Sequence, residues 1–312
     1  MDGIFYIDGV NSYEYGVSVV WEGYKGIISR PQFKKIDFND WPEEDGIEAD
    51  LSEPVLDTRD LNISFACLNA ELACDFIVLL SDKGYHDFDF MEIGCKLKLR
   101  LVSQPNKDTF FSLEKFTLQF ADDFPFQDVV QQPVDLGVSQ PEYELDDTPF
   151  SAYGVWLTEG ADDNIEKSPA VKKNLLVNIN NRKGAIYDGQ KVVFQSKDVP
   201  LKCGIKAPDV ETFWRNYNAL FHVLIQPGER QFYSDRLGES YPCYYKSMDC
   251  NVFDIIRGCV WCEFTLTFVF TCFRVGEALY LLATEDNFVI MTEDGEFFID
   301  VKNYGAKKEK NQ

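Results

Sequence analysis

Residues 199–228 read VPLKCGIKAPDVETFWRNYNALFHVLIQPG. In its first part apolar and polar residues alternate, and a period of two predicts a strand with one buried face. After Asp209, a suitable helix N-cap, the apolar spacing becomes helical until Pro227-Gly228 ends the run. The apolar positions are Val199, Leu201, Cys203 and Ile205 in the strand and Phe213, Tyr217, Leu220, Phe221 and Leu224 in the helix. The stretch therefore predicts a strand followed by an amphipathic helix.

The same order occurs earlier in the chain. A strand with Leu61, Ile63, Phe65 and Cys67 on one face precedes a helix with Asn69 as its cap, Leu72, Phe76 and Leu80 as its apolar stripe and Gly84 as its end. Each helix is followed by a closing strand of alternating pattern. The apolar positions of these closing strands are Phe116, Leu118 and Phe120, and Phe264, Leu266, Phe268 and Phe270.

An internal repeat relates the two regions. Residues 8–60 and 146–198 align without a gap at an offset of 138, with 12 identities in 53 positions. Average residue frequencies would give roughly 3. The identical residues of the first copy are Asp8, Tyr15, Gly16, Val17, Ile27, Pro31, Lys34, Lys35, Gly46, Asp50, Val55 and Asp60. Such an ungapped match predicts a duplicated structural unit.

Further along, the alignment resumes at an offset of 148, which implies a ten-residue insertion in the second copy. This offset places Cys95 on Cys243 and Lys98 on Lys246, and it aligns Phe116-Thr117-Leu118 with Phe264-Thr265-Leu266. Two constant offsets separated by one insertion indicate duplication rather than shared composition.

We therefore expect a mostly β protein, with a β-sandwich or barrel and one helix in each of two tandem homologous domains. The expected divisions are a first domain at 1–124, a linker at 125–143 and a second domain at 144–273. The extended joining segment, poor in periodicity, reaches from Pro125 to Pro149. A C-terminal β-meander at 274–304 follows, because Thr284-Glu285-Asp286-Asn287 and Thr292-Glu293-Asp294-Gly295 resemble hairpin turns. Residues 305–312 are expected to form a polar, flexible tail.

The composition restricts the function. The formal net charge is −22 and the pI is about 4.4, whereas nucleic-acid-binding and lipid-binding surfaces are basic. The amino terminus lacks the basic start and apolar run of a signal peptide. No stretch approaches eighteen apolar residues, so no membrane span is expected. We therefore expect assembly in a cytoplasm, without sequence-specific nucleic-acid binding and without a membrane partner.

Neither metals nor cofactors are expected. The nine cysteines are an odd number and are interpreted as small buried hydrophobes, reduced in the cell. Cys259-Val-Trp-Cys262 has the spacing of a zinc knuckle, but the segment alternates like a strand and has no turn. Asp87-Phe88-Asp89-Phe90 and Asn178–Asn181 lack the ligand alternation and the glycine of a calcium loop.

The chain is expected not to be an enzyme. It contains no nucleophile elbow, Walker loop, dinucleotide-binding glycine motif or zincin motif. The two histidines, His86 and His222, do not correspond between the copies. A glycosidase-type pair of carboxylates stays possible by inventory. However, the acidic clusters Glu43-Glu44-Asp45, Asp122-Asp123 and Asp162-Asp163 fall in predicted loops, where charge is usually solvated.

Two further features have a functional and a structural interpretation. The duplicated Lys34-Lys35 and Lys172-Lys173 are unusual in an acidic chain and suggest subunit contacts with acidic neighbours, although they also serve solubility. Tyr233, Tyr241, Tyr244 and Tyr245 could form an aromatic platform for a carbohydrate, or belong to the core and to cross-strand pairs.

Several short motifs resemble one family. Ile7-Asp8-Gly9-Val10 with Tyr15-Gly16-Val17, and Leu145–Phe150 with Tyr153-Gly154-Val155, resemble the opening of distal tail proteins of long-tailed phages. Asn181-Arg182-Lys183-Gly184 matches a turn of that family and is followed by Tyr187-Asp188 and a strand at Val192–Phe194. The first copy departs from the pattern, with Glu43-Glu44-Asp45-Gly46 at the turn. The likeness covers most of both copies.

The resemblance implies a virion structural protein of a phage or prophage, in a tail-tip or baseplate ring around the DNA channel. It implies self-association and contacts with other tail proteins. Three chains with six equivalent domains or six chains in two tiers would both suit such a ring. An acidic channel wall would repel the duplex and allow transit. The alternatives are a carbohydrate- or protein-binding β-sandwich module and an enzyme.

Overall fold

The first half of the molecule contains nine strands and two α-helices among its described residues. The computed structural model describes residues 3–67, 70–110, 113–125, 131–158, 160–173, 177–178, 180–181, 183–186 and 192–272. In chain order the elements are β1 (Tyr6–Ile7), β2 (Val10–Asn11), β3 (Val17–Val19), α1 (Lys25–Ile28), β4 (Phe38–Asn39), β5 (Glu48–Ala49), β6 (Arg59–Cys67), α2 (Ala70–Asp82), β7 (His86–Phe90), β8 (Cys95–Phe110) and β9 (Leu113–Asp122).

The second half repeats this order. Its elements are β10 (Tyr143–Leu145), β11 (Thr148–Pro149), β12 (Val155–Leu157), α3 (Ala161–Glu166), β13 (Val177–Asn178), β14 (Ala185–Ile186), β15 (Lys197–Ala207), α4 (Val210–Leu224), β16 (Arg230–Ser234), β17 (Glu239–Ile256) and β18 (Cys259–Phe270). In both halves a short 3₁₀ turn precedes the third strand, at Ser12–Tyr15 and Phe150–Tyr153.

Each half forms one seven-stranded antiparallel sheet, and the two sheets have the same strand order. The first sheet runs β2-β1-β7-β8-β9-β6-β3 and the second runs β11-β10-β16-β17-β18-β15-β12. A two-stranded hairpin accompanies each sheet, β4-β5 in the first half and β13-β14 in the second. The protein is thus mostly β, as expected, and the shared strand order supports the inference of a duplication.

The predicted alternation of the long strands is confirmed. All four named apolar positions of β6 and of β15 are buried, and so are those of β9 and β18. Phe76 and Leu80 of α2 and the whole predicted apolar stripe of α4 are buried against these strands. Asp209 caps α4 by accepting a hydrogen bond from the Thr212 N–H at 2.7 Å. One long helix per half was expected, and the short helices α1 and α3 were not.

The alignment of Cys95 with Cys243 is wrong. Ile7 and Leu145, which are equivalent at an offset of 138, pair with Phe88 and Phe232. Phe88 in turn pairs with Leu97, and Phe232 pairs with Tyr241. Equivalent residues of β8 and β17 therefore differ by 144 in residue number, and the equivalent of Cys95 is Glu239.

The ten inserted residues are consequently divided between two places. Six lie around the long helix. The other four lengthen the hairpin between β17 and β18, because Phe110 pairs with Leu113 in the first half where Asp254 pairs with Trp261 in the second.

The joining segment is shorter than the span Pro125–Pro149. Strands β10 and β11 already belong to the second sheet, and residues 131–140 have no regular secondary structure. These residues are bound to the second half, because the Asn216 side chain bonds the N–H and the C=O of Val134 and Gln140 bonds the backbone of Leu157.

Other expectations are corrected or fall outside the description. Phe194 forms an isolated bridge with Val171 rather than part of a strand. The residues up to Cys272 form one compact unit, and the predicted meander and tail lie outside the described residues. Among the helices that the structure describes, none has the length and apolar character needed to cross a bilayer.

Candidate assembly interface

The segment after α1 in the first half lies on α4 and β17 of the second half. The Tyr217 hydroxyl donates to the carbonyl oxygen of Ile28 at 3.2 Å, and the Tyr245 hydroxyl donates to that of Pro31 at 2.8 Å. The Phe33 ring meets the Tyr245 ring edge to face, with centroids 5.7 Å apart. The two tyrosine rings bury apolar area in this contact, and the hydrogen bonds of their hydroxyls fix its geometry.

Arg30 anchors the same segment. Its backbone N–H donates to the Met248 carbonyl at 2.8 Å. Its guanidinium lies 4.7 Å from the ring centroid of Tyr217 and 5.0 Å from that of Phe221, and it donates to Asn218. Burial lowers the pKa of Arg30 to about 10, so the group stays charged at neutral pH. A desolvated cation on aromatic faces gains about 2 kcal/mol or more, which makes Arg30 a specific connection between the halves.

The hairpin β4-β5 makes a second contact with the other half, through Lys172. This lysine is 5% exposed. Its ammonium donates to the carbonyl oxygens of Trp41 at 2.9 Å and Gly46 at 2.5 Å, and it pairs with the Asp40 carboxylate at 2.5 Å. A buried ammonium requires such partners, because an unpaired charge is costly to desolvate.

Backbone bonds extend this second contact. The Gly46 N–H donates to the Phe194 carbonyl and the Ile47 N–H to the Thr271 carbonyl, both at 2.8 Å. The Asp45 carboxylate accepts from the Phe194 N–H at 2.8 Å. A Cβ atom at Gly46 would lie 1.8 Å from the Thr271 oxygen, so only glycine permits this approach.

The two halves therefore meet through different surfaces. The first half contributes the segment after α1 and its hairpin, whereas the second contributes α4, β17, Lys172 and the backbone of Phe194 and Thr271. A contact between like units through unlike surfaces is heterologous, and repetition of such a contact generates rings or filaments.

The lysines chosen from the sequence are placed differently from one another. Lys172 lies in the contact between the halves, beside the acidic Asp40. Its equivalent Lys34 is exposed, as are Lys35 and Lys173. The Lys35 ammonium is 3.9 Å from the Asp37 carboxylate, and both side chains are almost fully exposed. Contacts of these lysines with other subunits stay a prediction.

The tyrosine cluster does not form an exposed platform. Tyr241 is 5% exposed and stacks on Phe270, with ring centroids 5.0 Å apart, and Tyr245 is fully buried. Tyr233 and Tyr244 are half-buried. The interpretation as core and cross-strand residues holds for Tyr241 and Tyr245.

The cysteines are buried only in part: Cys67, Cys203, Cys243 and Cys262 are buried as expected, whereas Cys74 and Cys259 are exposed. Cys259 is exposed and Cys262 is buried, so they point to opposite sides of β18. Burial raises the pKa of the Cys95 thiol to about 11 and raises those of Cys203 and Cys262 further, which keeps these thiols protonated. Within the described part of the chain, no cluster of three or more His, Cys, Asp or Glu side chains is arranged to hold a metal ion.

The retained Asp8 and Asp146 have a structural role. Both adopt a left-handed backbone with φ of 49°. The Asp8 carboxylate accepts from the Asp87 N–H at 3.1 Å and lies 2.8 Å from His86 Nδ1. The Asp146 carboxylate bonds the equivalent backbone N–H, that of Gln231, and Arg230 replaces the histidine. His86 is thus a buried partner of a turn aspartate.

Sequence reasoning missed the most important contact residues. Arg30 has no basic equivalent in the second copy, so the repeat did not single it out. Gly46 and Pro31 were visible as identities, but the surface that each one meets lies more than 140 residues away in the chain. The signal in the sequence for a special turn was the repeated glycine. Gly46 and Gly184 both adopt a positive φ, of 75° and 76°.

Comparisons with known proteins add little to this description. No protein-family model matches the chain, and no curated protein matches it. Among solved structures it is similar to the SPP1 Dit (gp 19.1) protein, described as a paradigm of hub adsorption apparatus in Gram-positive infecting phages. The alignment covers 85% of this chain and 97% of that chain, with 12% identity and a TM-score of 0.31. A likeness at this TM-score defines neither fold nor function, so the chain's own residues must carry both.

Proposed function

We propose that this chain is a non-enzymatic structural protein of a phage tail tip or baseplate, where copies of it form a ring around the DNA channel. The observation that carries the proposal is the heterologous packing of two halves with one strand order. Two units joined in this way are already neighbours in a cyclic arrangement, and further chains extend the arrangement by the same operation.

The charge of the chain supports the same role. Each Lys or Arg that contacts a phosphate retards DNA by binding it, and basic contacts dominate non-specific affinity. A net charge of −22 opposes such binding and favours sliding of a duplex past the protein. The acidic Glu43 and Glu44 are exposed on the turn between β4 and β5.

Solution mass and negative-stain imaging of the purified full chain test the proposal. We expect discrete closed particles with a central hole, composed of three chains with six halves or of six chains in two tiers. We also expect no retention of duplex DNA at physiological salt. A monodisperse monomer at tens of micromolar, with binding on a glycan array, would instead identify a carbohydrate-binding module.

A further inference from the structure

The second half carries its own copy of the hairpin that holds the two halves together. In β4-β5 Asn39 pairs with Glu48, and at the equivalent positions of β13-β14 Val177 pairs with Ile186. The glycines of the two turns share one backbone conformation, but their surroundings differ. Gly46 lies against the Thr271 backbone, whereas a Cβ atom added at Gly184 would have no neighbour within 4 Å.

The first half likewise carries a copy of the surface that receives the hairpin. In both halves the lysine N–H bonds the carbonyl of the matching valine, Lys34 to Val55 at 2.8 Å and Lys172 to Val193 at 2.7 Å. The side chains differ in exposure, since Val193 is 1% exposed and Val55 is 56% exposed. Lys172 is buried and Lys34 is exposed. We attribute the difference to the β4-β5 hairpin, which bonds Lys172 and the Phe194 backbone next to Val193.

We propose that the turn of β13-β14 docks on the Lys34 and Val55 surface of a second copy of this chain, which repeats between chains the contact that β4-β5 makes within one. The inference rests on the proposed function and names the surface that would close the ring. The expected bonds are from Lys34 Nζ to the Gly184 carbonyl and from the Gly184 N–H to the Leu56 carbonyl. They reproduce those that join Lys172, Gly46 and Phe194.

The contact between chains should be weaker than the contact within a chain. Asn178 stands at the sequence position of Asp40, so the repeat lacks the acidic residue that pairs with Lys172. Lys183 replaces Asp45, and an ammonium cannot accept the backbone N–H that Asp45 accepts. Ser168 stands where Arg30 stands, so the cation on aromatic rings is also lost. These replacements give a stable pair of halves in each chain and a reversible contact between chains.

Cross-linking locates the contact directly. Chains of natural and of ¹⁵N composition are mixed, assembled and treated with an amine-reactive cross-linker. We expect links between Lys34 and Lys183 that join one chain of each isotope, because both lysines are exposed and their counterparts, Lys172 and Asp45, flank Gly46 in the contact within the chain. Assembled rings in which Lys34 links only to residues of its own chain would overturn the inference.

Matched variants test the energy of the contact. Lys34→Glu and Val55→Asp should raise the dissociation constant of the ring by about tenfold or more, which corresponds to about 1.4 kcal/mol. Lys35→Glu is the control, because it makes the same change of charge as Lys34→Glu at the adjacent residue. All three variants should keep the melting temperature of the wild-type monomer.

The outcomes separate the two proposals. Wild-type rings that Lys34→Glu and Val55→Asp leave intact would overturn this surface and leave the proposed function standing. A wild-type chain that stays monomeric at tens of micromolar would overturn both. Equal weakening by Lys35→Glu would indicate a general charge effect and would also overturn the assignment of Lys34.

Discussion

In each half of the molecule a cation on a long strand binds the backbone carbonyls at the end of a short helix, but the residues differ. Arg59 of β6 donates to the carbonyls of Ile27 and Ser29 at 2.9 and 2.8 Å, and it pairs with the buried carboxylate of Asp122 at 2.7 Å. Lys197, its equivalent on β15, donates to the matching carbonyls of Ile165 and Lys167. The position of Asp122 is taken by Phe270, whose ring centroid lies 5.6 Å from the Lys197 ammonium.

This comparison shows which contacts the two halves share. A cation that binds the end of a short helix is kept in both halves, because those carbonyls lack partners inside the helix. The residue beside the cation differs, since Asp122 pairs with Arg59 and Phe270 stands at that position beside Lys197. Burial lowers the pKa of Lys197 to about 8, whereas Arg59 in the first half pairs with the Asp122 carboxylate.

The largest expected effect is at Arg59. Arg59→Met leaves the Asp122 carboxylate, 1% exposed, without its partner. Removing one member of a buried ion pair lowers the free energy of unfolding by about 3–5 kcal/mol. Urea denaturation measures the loss. Lys197→Met is the matched control and should cost less, because the position of the buried Asp122 is taken there by Phe270. Equal losses would contradict the comparison.

The next effect distinguishes the two hairpin turns. Both Gly46→Ala and Gly184→Ala place a side chain at positive φ, which costs about 1–2 kcal/mol. Only Gly46→Ala also forces a Cβ atom against the Thr271 backbone, and such overpacking adds about 1–3 kcal/mol. Urea denaturation of the two monomers should show the greater loss at Gly46. A greater loss at Gly184 would show that the hairpins are not equivalent.

A smaller effect separates the two valines. Val193→Ala removes two buried methyl groups next to Lys172 and Phe194 and should lower the free energy of unfolding by about 1.5–2 kcal/mol. Val55→Ala should change it by less than about 0.5 kcal/mol in the monomer, because this side chain is half exposed. Thermal unfolding of dilute protein, below the concentration of assembly, gives both values. A similar loss at Val55 would mean that its surface is already covered.

The smallest effect concerns Asp8. Burial alone would raise the pKa of this carboxylate, but the hydrogen bonds from Asp87 N–H, His86 and Lys83 outweigh it and lower the pKa below 3.8. A lowered folded pKa contributes stability above the unfolded pKa, and that contribution is lost as the pH falls through the folded pKa. Asp8→Asn should therefore cost about 1 kcal/mol at pH 7, and the difference from wild type should shrink on acidification.

Unfolding of both proteins between pH 3 and pH 7 measures this dependence. Asp87→Asn, an exposed change of the same charge on the next strand, is the control and should show no such convergence. A difference between Asp8→Asn and wild type that grows as the pH falls would contradict the sign.

Much of the fold could be predicted where the signal is local. The period of two in β15 and β18 and the helical spacing of α4 follow from which side chains face the core, so burial confirmed them at every named position. The short helix α1 escaped prediction because four residues give no periodicity. The alignment of β8 with β17 failed because cysteine and lysine matches carry less information than strand pairing, which fixes Leu97 opposite Phe88 and Tyr241 opposite Phe232.

The candidate interface was predictable only in part. Lys172 was singled out as a contact residue, and it does meet an acidic neighbour, but within its own chain. Nothing local in the sequence distinguishes Lys172 from Lys34, since both follow the same repeat. Lys172 is buried against the β4-β5 hairpin, whereas Lys34 is exposed.

The sequence by itself determined the mostly β class, the strand and helix faces and the repetition of one unit, because these depend on the spacing of apolar residues along the chain. Only the tertiary structure decided which copy of each surface is covered, because Gly46 and Thr271, or Arg30 and Tyr217, are brought together by the packing of one half on the other. The two halves share the same pattern of apolar residues, but among the described residues of one chain it is the β4-β5 hairpin that packs against the other half.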